Sequence, residues 1–324
     1  MKAAVVTRYG PPEVVELREL PMPEPGPSEV RIKVLSTTVT AGDYRLRSGN
    51  MPRGFGPLRG IALGFGAPRK AVLGTEAAGI VDALGAGVTR FAVGDPVVAF
   101  PGEDLGGHAA YLLMPADGRV VHKPARLSFE EAAALPFGAT TALDFLNRAA
   151  LRAGERFLVH GASGNVGSMA VQLGKLRGAH VTAVCSGRNA DLVRRLGADD
   201  VIDYTRTDFA GGGARYDVVM DAVGDAPYAR VKSILNPGGR LIALVADLPA
   251  MLTAPFVGKG RKHRVLAGPA AERREDVETI VSLALEGALR AVIDQRFPFA
   301  HIVEAHRYVA TGRKRGSVVV TCDG

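Results

Sequence analysis

Arg156-Phe-Leu-Val-His-Gly-Ala-Ser-Gly-Asn-Val-Gly167 runs directly into Ser168-Met-Ala-Val-Gln-Leu-Gly-Lys-Leu-Arg177. A short apolar strand (Phe157, Leu158, Val159) enters a glycine-rich turn, and the turn opens an amphipathic helix. A dinucleotide pyrophosphate requires that order: a tight turn, backbone bare enough for phosphates to approach, and a helix N-terminus offering unpaired N–H groups and the positive end of its dipole. Against G-x-G-x-x-G, Gly164 and Gly167 fill the last two positions, and Ala162 replaces the first. A strand–turn–helix without a ligand uses glycines in the same way. The decision therefore rests on the place of the turn in the chain and on the segments around it.

Before the turn, the first 125 residues read as β-rich. Val30–Leu35 alternates in period two, and 77–84 and 95–100 are further short strands between Gly and Pro turns. Residues 49–69 form a Gly/Pro/Arg-rich stretch without periodicity, read as a long loop or flap. From Ser128, with Glu130 and Glu131 a capped helix start ending at Pro136, strands and helices alternate. Strand 157–160 leads to helix 165–177, strand 181–185 to helix 189–196, and a short strand 201–203 comes next. Strand 217–221 then leads to helix 226–235 and strand 240–245. Continuous apolar strands separated by helices predict a doubly wound α/β domain with a parallel sheet. A last block, 272–321, adds two helices and two strands. The nucleotide unit thus starts mid-chain, after a β-rich domain.

Composition narrows the function classes. The chain has 324 residues, 47% hydrophobic and 23% charged, as expected for a two-domain globular protein. No apolar run reaches the roughly 18 residues of a membrane span, and no signal-peptide core is read at the start, so a cytoplasmic enzyme is expected. Cys185 and Cys322 are the only cysteines, which excludes a C-x-x-C zinc lobe and a disulfide framework. Net charge is +7, but the basic residues are dispersed and there is no Trp, so no nucleic-acid partner is expected.

The tip of the second strand selects the cofactor. An acidic residue there bonds the ribose 2′-OH of NAD, whereas small polar and basic residues admit the 2′-phosphate of NADP. Here Val181–Cys185 is followed by Ser186-Gly-Arg-Asn189. Ser186 can donate a hydrogen bond and Arg188 a charged planar fork, so NADP(H) is expected.

The whole length resembles the zinc-independent, quinone oxidoreductase-like branch of the medium-chain dehydrogenase/reductase superfamily. The resemblance is carried by Tyr9-Gly-Pro-Pro-Glu-Val14, Ala41-Gly-Asp-Tyr-Arg-Leu-Arg-Ser-Gly49 and Leu73-Gly-Thr-Glu-Ala-Ala-Gly-Ile-Val81. It continues in the turn itself, in Leu196-Gly-Ala-Asp-Asp-Val-Ile-Asp-Tyr204 and in Tyr216-Asp-Val-Val-Met-Asp-Ala-Val-Gly224. It implies a GroES-like β-rich domain (1–125 and 266–324) and a Rossmann NADP(H)-binding domain (126–265). By the same resemblance the cofactor contacts are Thr140, Gly161, Ser163, Gly164, Asn165, Val166, Gly167, Ser186, Arg188, Tyr204 and Val223, and the protein pairs as a homodimer through the sheet edge near residues 264–268.

Alcohol-dehydrogenating relatives place zinc ligands at the positions of Thr40 and Thr75. Threonine offers neither thiolate nor imidazole, so no metal is expected. The remaining chemistry is hydride delivery from NADPH to a small electrophile, a quinone or an α,β-unsaturated carbonyl, with Thr40, Asp43 and Tyr44 nearest the reaction. The alternatives are a 2-enoyl thioester reductase and a non-catalytic NADPH-binding sensor. The first usually carries a tyrosine just after the segment matching Arg47–Gly49, where this chain has Asn50-Met51-Pro52.

Overall fold

The computed structural model describes residues 1–56, 60, 64–257 and 262–322. Contacts divide the chain into two units: Met1–Met51, Pro57–Phe137 and Glu272–Gly324 form the first, Pro52–Gly56 and Gly138–Ala271 the second. Residues 126–137, grouped from sequence with the dinucleotide half, cluster with the first unit.

In the first unit, β1 (Lys2–Val6) and β2 (Val15–Glu19) form a hairpin-like pair. The main sheet is centred on β3 (Glu29–Val39), which is followed by α1 (Ala41–Ser48). Val30, Ile32 and Val34 point to the core in strict alternation, and from Ser36 onward every residue of β3 is buried. β3 pairs antiparallel with β4 (Ala77–Leu84) and β6 (Tyr111–Pro115), and β5 (Pro96–Ala99) and β7 (Val120–His122) continue the sheet beyond β4. Short helix α2 is Phe129–Ala133, its capping box formed by Ser128 and Glu131. Pro136 does not end that helical stretch. It opens a new helix, α3 (Pro136–Ala149), because the first turn of a helix needs no N–H from proline.

The second unit is a six-stranded, wholly parallel sheet. In chain order its elements are β8 (Arg156–His160), α4 (Asn165–Leu176), β9 (His180–Cys185), α5 (Ala190–Arg195), β10 (Asp200–Asp203), β11 (Tyr216–Asp221), α6 (Tyr228–Val231), β12 (Leu235–Ala243), α7 (Leu248–Thr253) and β13 (Arg264–Leu266). Their spatial order is β10-β9-β8-β11-β12-β13, that is 3-2-1-4-5-6, with the order reversing at β8/β11. The helix expected at 226–235 shrinks to four residues, because Leu235 already pairs with Tyr216 as the start of β12. The chain then returns to the first unit with α8 (Arg274–Leu285), β14 (Ile293–Pro298), α9 (Ile302–Ala310) and β15 (Ser317–Thr321), whose Val318 pairs with Val39 of β3.

The first unit thus joins chain segments from both ends of the sequence around apolar clusters, one of which packs Ile302, Ala305 and Val309 of α9 against Val39, Val318 and Val320. No helix among the described residues is long and apolar enough to cross a membrane.

Candidate active site

The glycine turn lies where β8 meets α4, beside the point where the strand order reverses. Gly161 sits at φ +80°, a left-handed conformation that a side chain would strain. Gly164 caps α4 without any side-chain hydrogen bond, so the first-turn amides of Asn165, Val166 and Gly167 stay available to a ligand. At Gly167 a Cβ would stand 2.2 Å from the Gly161 carbonyl oxygen, so α4 approaches β8 as closely as backbone permits. Asn165 is buried, and its Oδ1 has no hydrogen-bond partner among the described residues. Bare amides, a dipole end and a cradle that a side chain would fill fit a pyrophosphate.

Some of the other expected contacts touch this turn or lie close to it in sequence. Val223, half exposed, packs its Cγ2 over Gly161. The Asp221 carboxylate fixes that loop, accepting from the amides of Val223, Gly224 and Ala226 at 2.8–2.9 Å. Thr140 is enclosed in α3, two residues after Gly138, whose Cα abuts Asn165. Ser163 Oγ accepts from Asn189 Nδ2 at 3.0 Å, tying the glycine turn to the tip of β9. Sequence reasoning gave Asn189 no role. Ser186 is half-buried, and Arg188 and Tyr204 are exposed.

One residue at the β9 tip escaped the sequence reading. β10 runs parallel to β9 with Asp203 opposite Cys185, and the Asp203 carboxylate lies against Gly187. Its Oδ1 accepts from the Thr205 hydroxyl at 2.7 Å and the Thr205 amide at 3.0 Å, bonds that hold the group below the usual carboxylate range. A negative charge therefore does sit beside the tip, but it is engaged by its own neighbours.

In the first unit, α1 begins at Thr40 with a capping box. Thr40 Oγ1 donates to Asp43 Oδ2 at 2.6 Å, the Thr40 amide donates to the same oxygen at 2.8 Å, and the Asp43 amide donates back to Thr40 Oγ1. Asp43 Oδ1 also accepts from the Gly74 amide at 2.9 Å. Asp43 is fully buried with both oxygens occupied. Thr75 Oγ1 lies 3.5 Å from Thr40 Oγ1. Tyr44 turns away from this network: its ring packs on the apolar cluster beneath α1, Arg47 stacks on it at 5.6 Å, and its hydroxyl accepts from Asn50 at 3.4 Å.

Glu76, next to Thr75, is enclosed completely. Thr38 Oγ1 and the Phe137 amide (2.6 Å) donate to its carboxylate, yet loss of water dominates and pushes the carboxyl up to about 8. Because the folded value lies above the unfolded one, this group supports the fold below pH 4.5, and the support is lost as pH rises toward 8. The unfolding free energy of the wild type should accordingly fall over that interval by more than that of Glu76→Gln, by on the order of 1–3 kcal/mol. Parallel melting curves across that pH interval check this; superimposable slopes would refute it.

The donors around this site do not match a tetrahedral zinc centre. Thr40 and Thr75 stand at the positions where a thiolate or imidazole would be needed. Of the histidines, His108 Nε2 is bonded to the Thr38 carbonyl at 2.9 Å, His160 Nε2 to Asp225 at 2.6 Å, and His122 is exposed near Asp95. His160, Asp221 and Asp225 do converge within 4.8 Å in the second unit, but Asp221 already spends both oxygens on the 223–226 amides.

Residues 26–125 match the family described as alcohol dehydrogenase GroES-like domain, and residues 196–320 the family described as zinc-binding dehydrogenase. The chain is 34% identical over 315 residues to the chloroplastic quinone oxidoreductase QR1 of Triphysaria versicolor, covering 93% of this chain and 92% of that one. It is 33% identical to a quinone oxidoreductase of Pseudomonas aeruginosa, covering 96% and 97%. Among solved structures, the quinone oxidoreductase of Coxiella burnetii superposes with a TM-score of 0.89 at 30% identity, covering 99% of each chain. The GroES-like and Rossmann halves are therefore established together, and this chain belongs to the quinone oxidoreductase-like branch of the medium-chain dehydrogenase/reductase superfamily, a group of oxidoreductases.

Proposed function

We propose that this protein is an NADPH-dependent, zinc-independent reductase acting on quinones or α,β-unsaturated carbonyls. The observation that carries the reading is the bare glycine turn at the reversal point of a 3-2-1-4-5-6 sheet, with an exposed Arg188 at the tip of its second strand. NADPH, when bound, supplies the hydride. The relatives from Triphysaria versicolor and Pseudomonas aeruginosa are named quinone oxidoreductases, which supports the acceptor class.

The amides of Asn165, Val166 and Gly167 hold the pyrophosphate, Val223 and Thr140 wall the cofactor, and Tyr204 flanks its adenosine end. Ser186 and Arg188 bind the 2′-phosphate. Asp203 stays ionised beside them and works against that phosphate, so the reading requires Arg188 to outweigh it. NADPH should thus bind at least about tenfold tighter than NADH, or ~1.4 kcal/mol, and Arg188→Ala should erase most of the difference. Fluorescence titration of both cofactors measures this. Equal or tighter NADH binding would reverse the assignment.

Hydrogen bonding redistributes the roles expected in the first unit. The Thr40 proton is committed to Asp43, so Thr40 and Asp43 position the site. In the long 3.5 Å contact the Thr75 hydroxyl is then the donor to Thr40, a weak bond that it can exchange for the acceptor oxygen that gains charge during reduction. Tyr44 belongs to the packing of α1. With threonines at both positions and Glu76 held by Thr38 and Phe137, activation of the acceptor depends on this hydrogen bond and not on a metal. Thr75→Val should lower kcat by about 10–100-fold with a smaller change in KM. Steady-state kinetics with a naphthoquinone would decide; unchanged kcat would remove Thr75 from the mechanism.

A further inference from the structure

Beneath α1, away from the Thr40–Asp43 network, three buried nitrogens have no hydrogen-bond partner among the described residues: Arg47 Nε, His306 Nδ1 and His306 Nε2. Arg47 is 1% and His306 0% exposed, so both are almost wholly enclosed. They come from two packed elements, α1 and α9. The His108 ring meets the His306 ring edge-on at 5.4 Å between centroids, and its own Nε2 is turned to the Thr38 carbonyl.

The charge is as incomplete as the hydrogen bonding. Arg47 donates through Nη1 to the Gly10 carbonyl at 2.8 Å and stacks on Tyr44, but among the described residues no carboxylate forms an ion pair with it. The carboxylate whose field reaches it is Glu13, which is exposed and paired with Arg307 at 2.8 Å. Arginine stays protonated in proteins, so this cation cannot escape its desolvation by losing a proton. Burial, with the fields of His108 and Arg47, keeps His306 neutral, well below the usual histidine range. Whichever nitrogen of a neutral imidazole carries the proton, the ring offers one N–H donor. Two unpaired donors, Arg47 Nε–H and His306 N–H, therefore lie on packed helices within the field of an uncompensated positive charge. A water molecule can satisfy the donors but not the charge; a small monovalent anion satisfies both.

We propose that Arg47 and His306 form an internal binding site for a small monovalent anion, of the size of chloride or bromide, which pins α1 to α9. This site is independent of the reductase reading and rests wholly within the first unit.

The test uses the full chain. Crystals grown in sodium bromide are examined by anomalous diffraction, and melting is followed in sodium bromide and sodium chloride against sodium gluconate at equal ionic strength. The expected result is an anomalous peak within hydrogen-bond reach of Arg47 Nε and a His306 nitrogen, together with a melting temperature roughly 4 °C higher in the halide salts. His306→Phe keeps the volume and removes the donor, and should abolish the halide difference; Arg47→Met, if it folds, should do the same. A water in place of the bromide peak, a direct Arg47–His306 hydrogen bond, or equal melting in all three salts would each overturn the proposal.

Discussion

Gly167→Ala should weaken NADPH binding by at least about 100-fold, or ~2.7 kcal/mol. The added methyl has nowhere to go. Its carbon would stand 2.2 Å from the Gly161 carbonyl oxygen, 2.8 Å from the carbon of that carbonyl and 2.9 Å from Ala162 Cα. All three are backbone atoms of the turn, so no rotamer change relieves the clash. Either α4 retreats from β8 or the turn deforms, and each outcome moves the amides of Asn165, Val166 and Gly167 away from the pyrophosphate. Overpacking of this kind also costs about 1–3 kcal/mol of stability, so the melting temperature should drop as well. Fluorescence titration with NADPH and thermal melting on the same preparation separate the two effects. A variant that melts like the wild type and binds within about threefold of it, under ~0.7 kcal/mol, would show that the close approach is dispensable.

The features legible in the sequence are those set by short-range interactions. The glycine turn, the alternating β8–β13 pattern and the Ser186/Arg188 tip are local: each is specified by residues within one strand–turn–helix. Pro136 reads as a stop because the same residue that ends one helix can start another, and only the chain beyond it tells which. Asp203 reaches the β9 tip through strand pairing, which sets it opposite Cys185 from a separate strand, and no local signal marks that. Burial is equally invisible for Asp43 and Tyr44. In sequence they are polar residues on a short helix near two threonines. In the fold, one spends its acceptor oxygens on backbone and Thr40, and the other serves as a wall for Arg47. The packing of α1 against α9, the helices that carry Arg47 and His306, arises only because the C-terminal segment returns to the first unit.

Asp43 carries the second large effect. Asp43→Ala should destabilise the protein by about 3–5 kcal/mol and lower acceptor reduction at least about 100-fold. The carboxylate accepts three hydrogen bonds in a place with no access to water: two from Thr40 and one from the Gly74 amide. Alanine leaves two buried amides and a buried hydroxyl unpaired, and each costs about 1–3 kcal/mol. The loss is also positional. Gly74 precedes Thr75 directly, so its bond to Asp43 sets the backbone that aims the Thr75 hydroxyl, and the bond to Thr40 fixes the start of α1. Asp43→Asn separates charge from geometry. It keeps one acceptor oxygen, but its amide group must face a donor at the other position, so much of the stability loss should persist. Removing the negative charge also withdraws the field by which Asp43 helps to raise Glu76, so the Asn variant should show a lower Glu76 titration in its stability–pH profile. NADPH affinity should stay within about twofold of wild type in both variants, since every cofactor contact proposed lies in the second unit. Chemical denaturation, quinone kinetics and NADPH titration together test this arrangement. An Asp43→Ala protein of wild-type stability and turnover would mean that the three buried bonds are not what holds Thr75 in place.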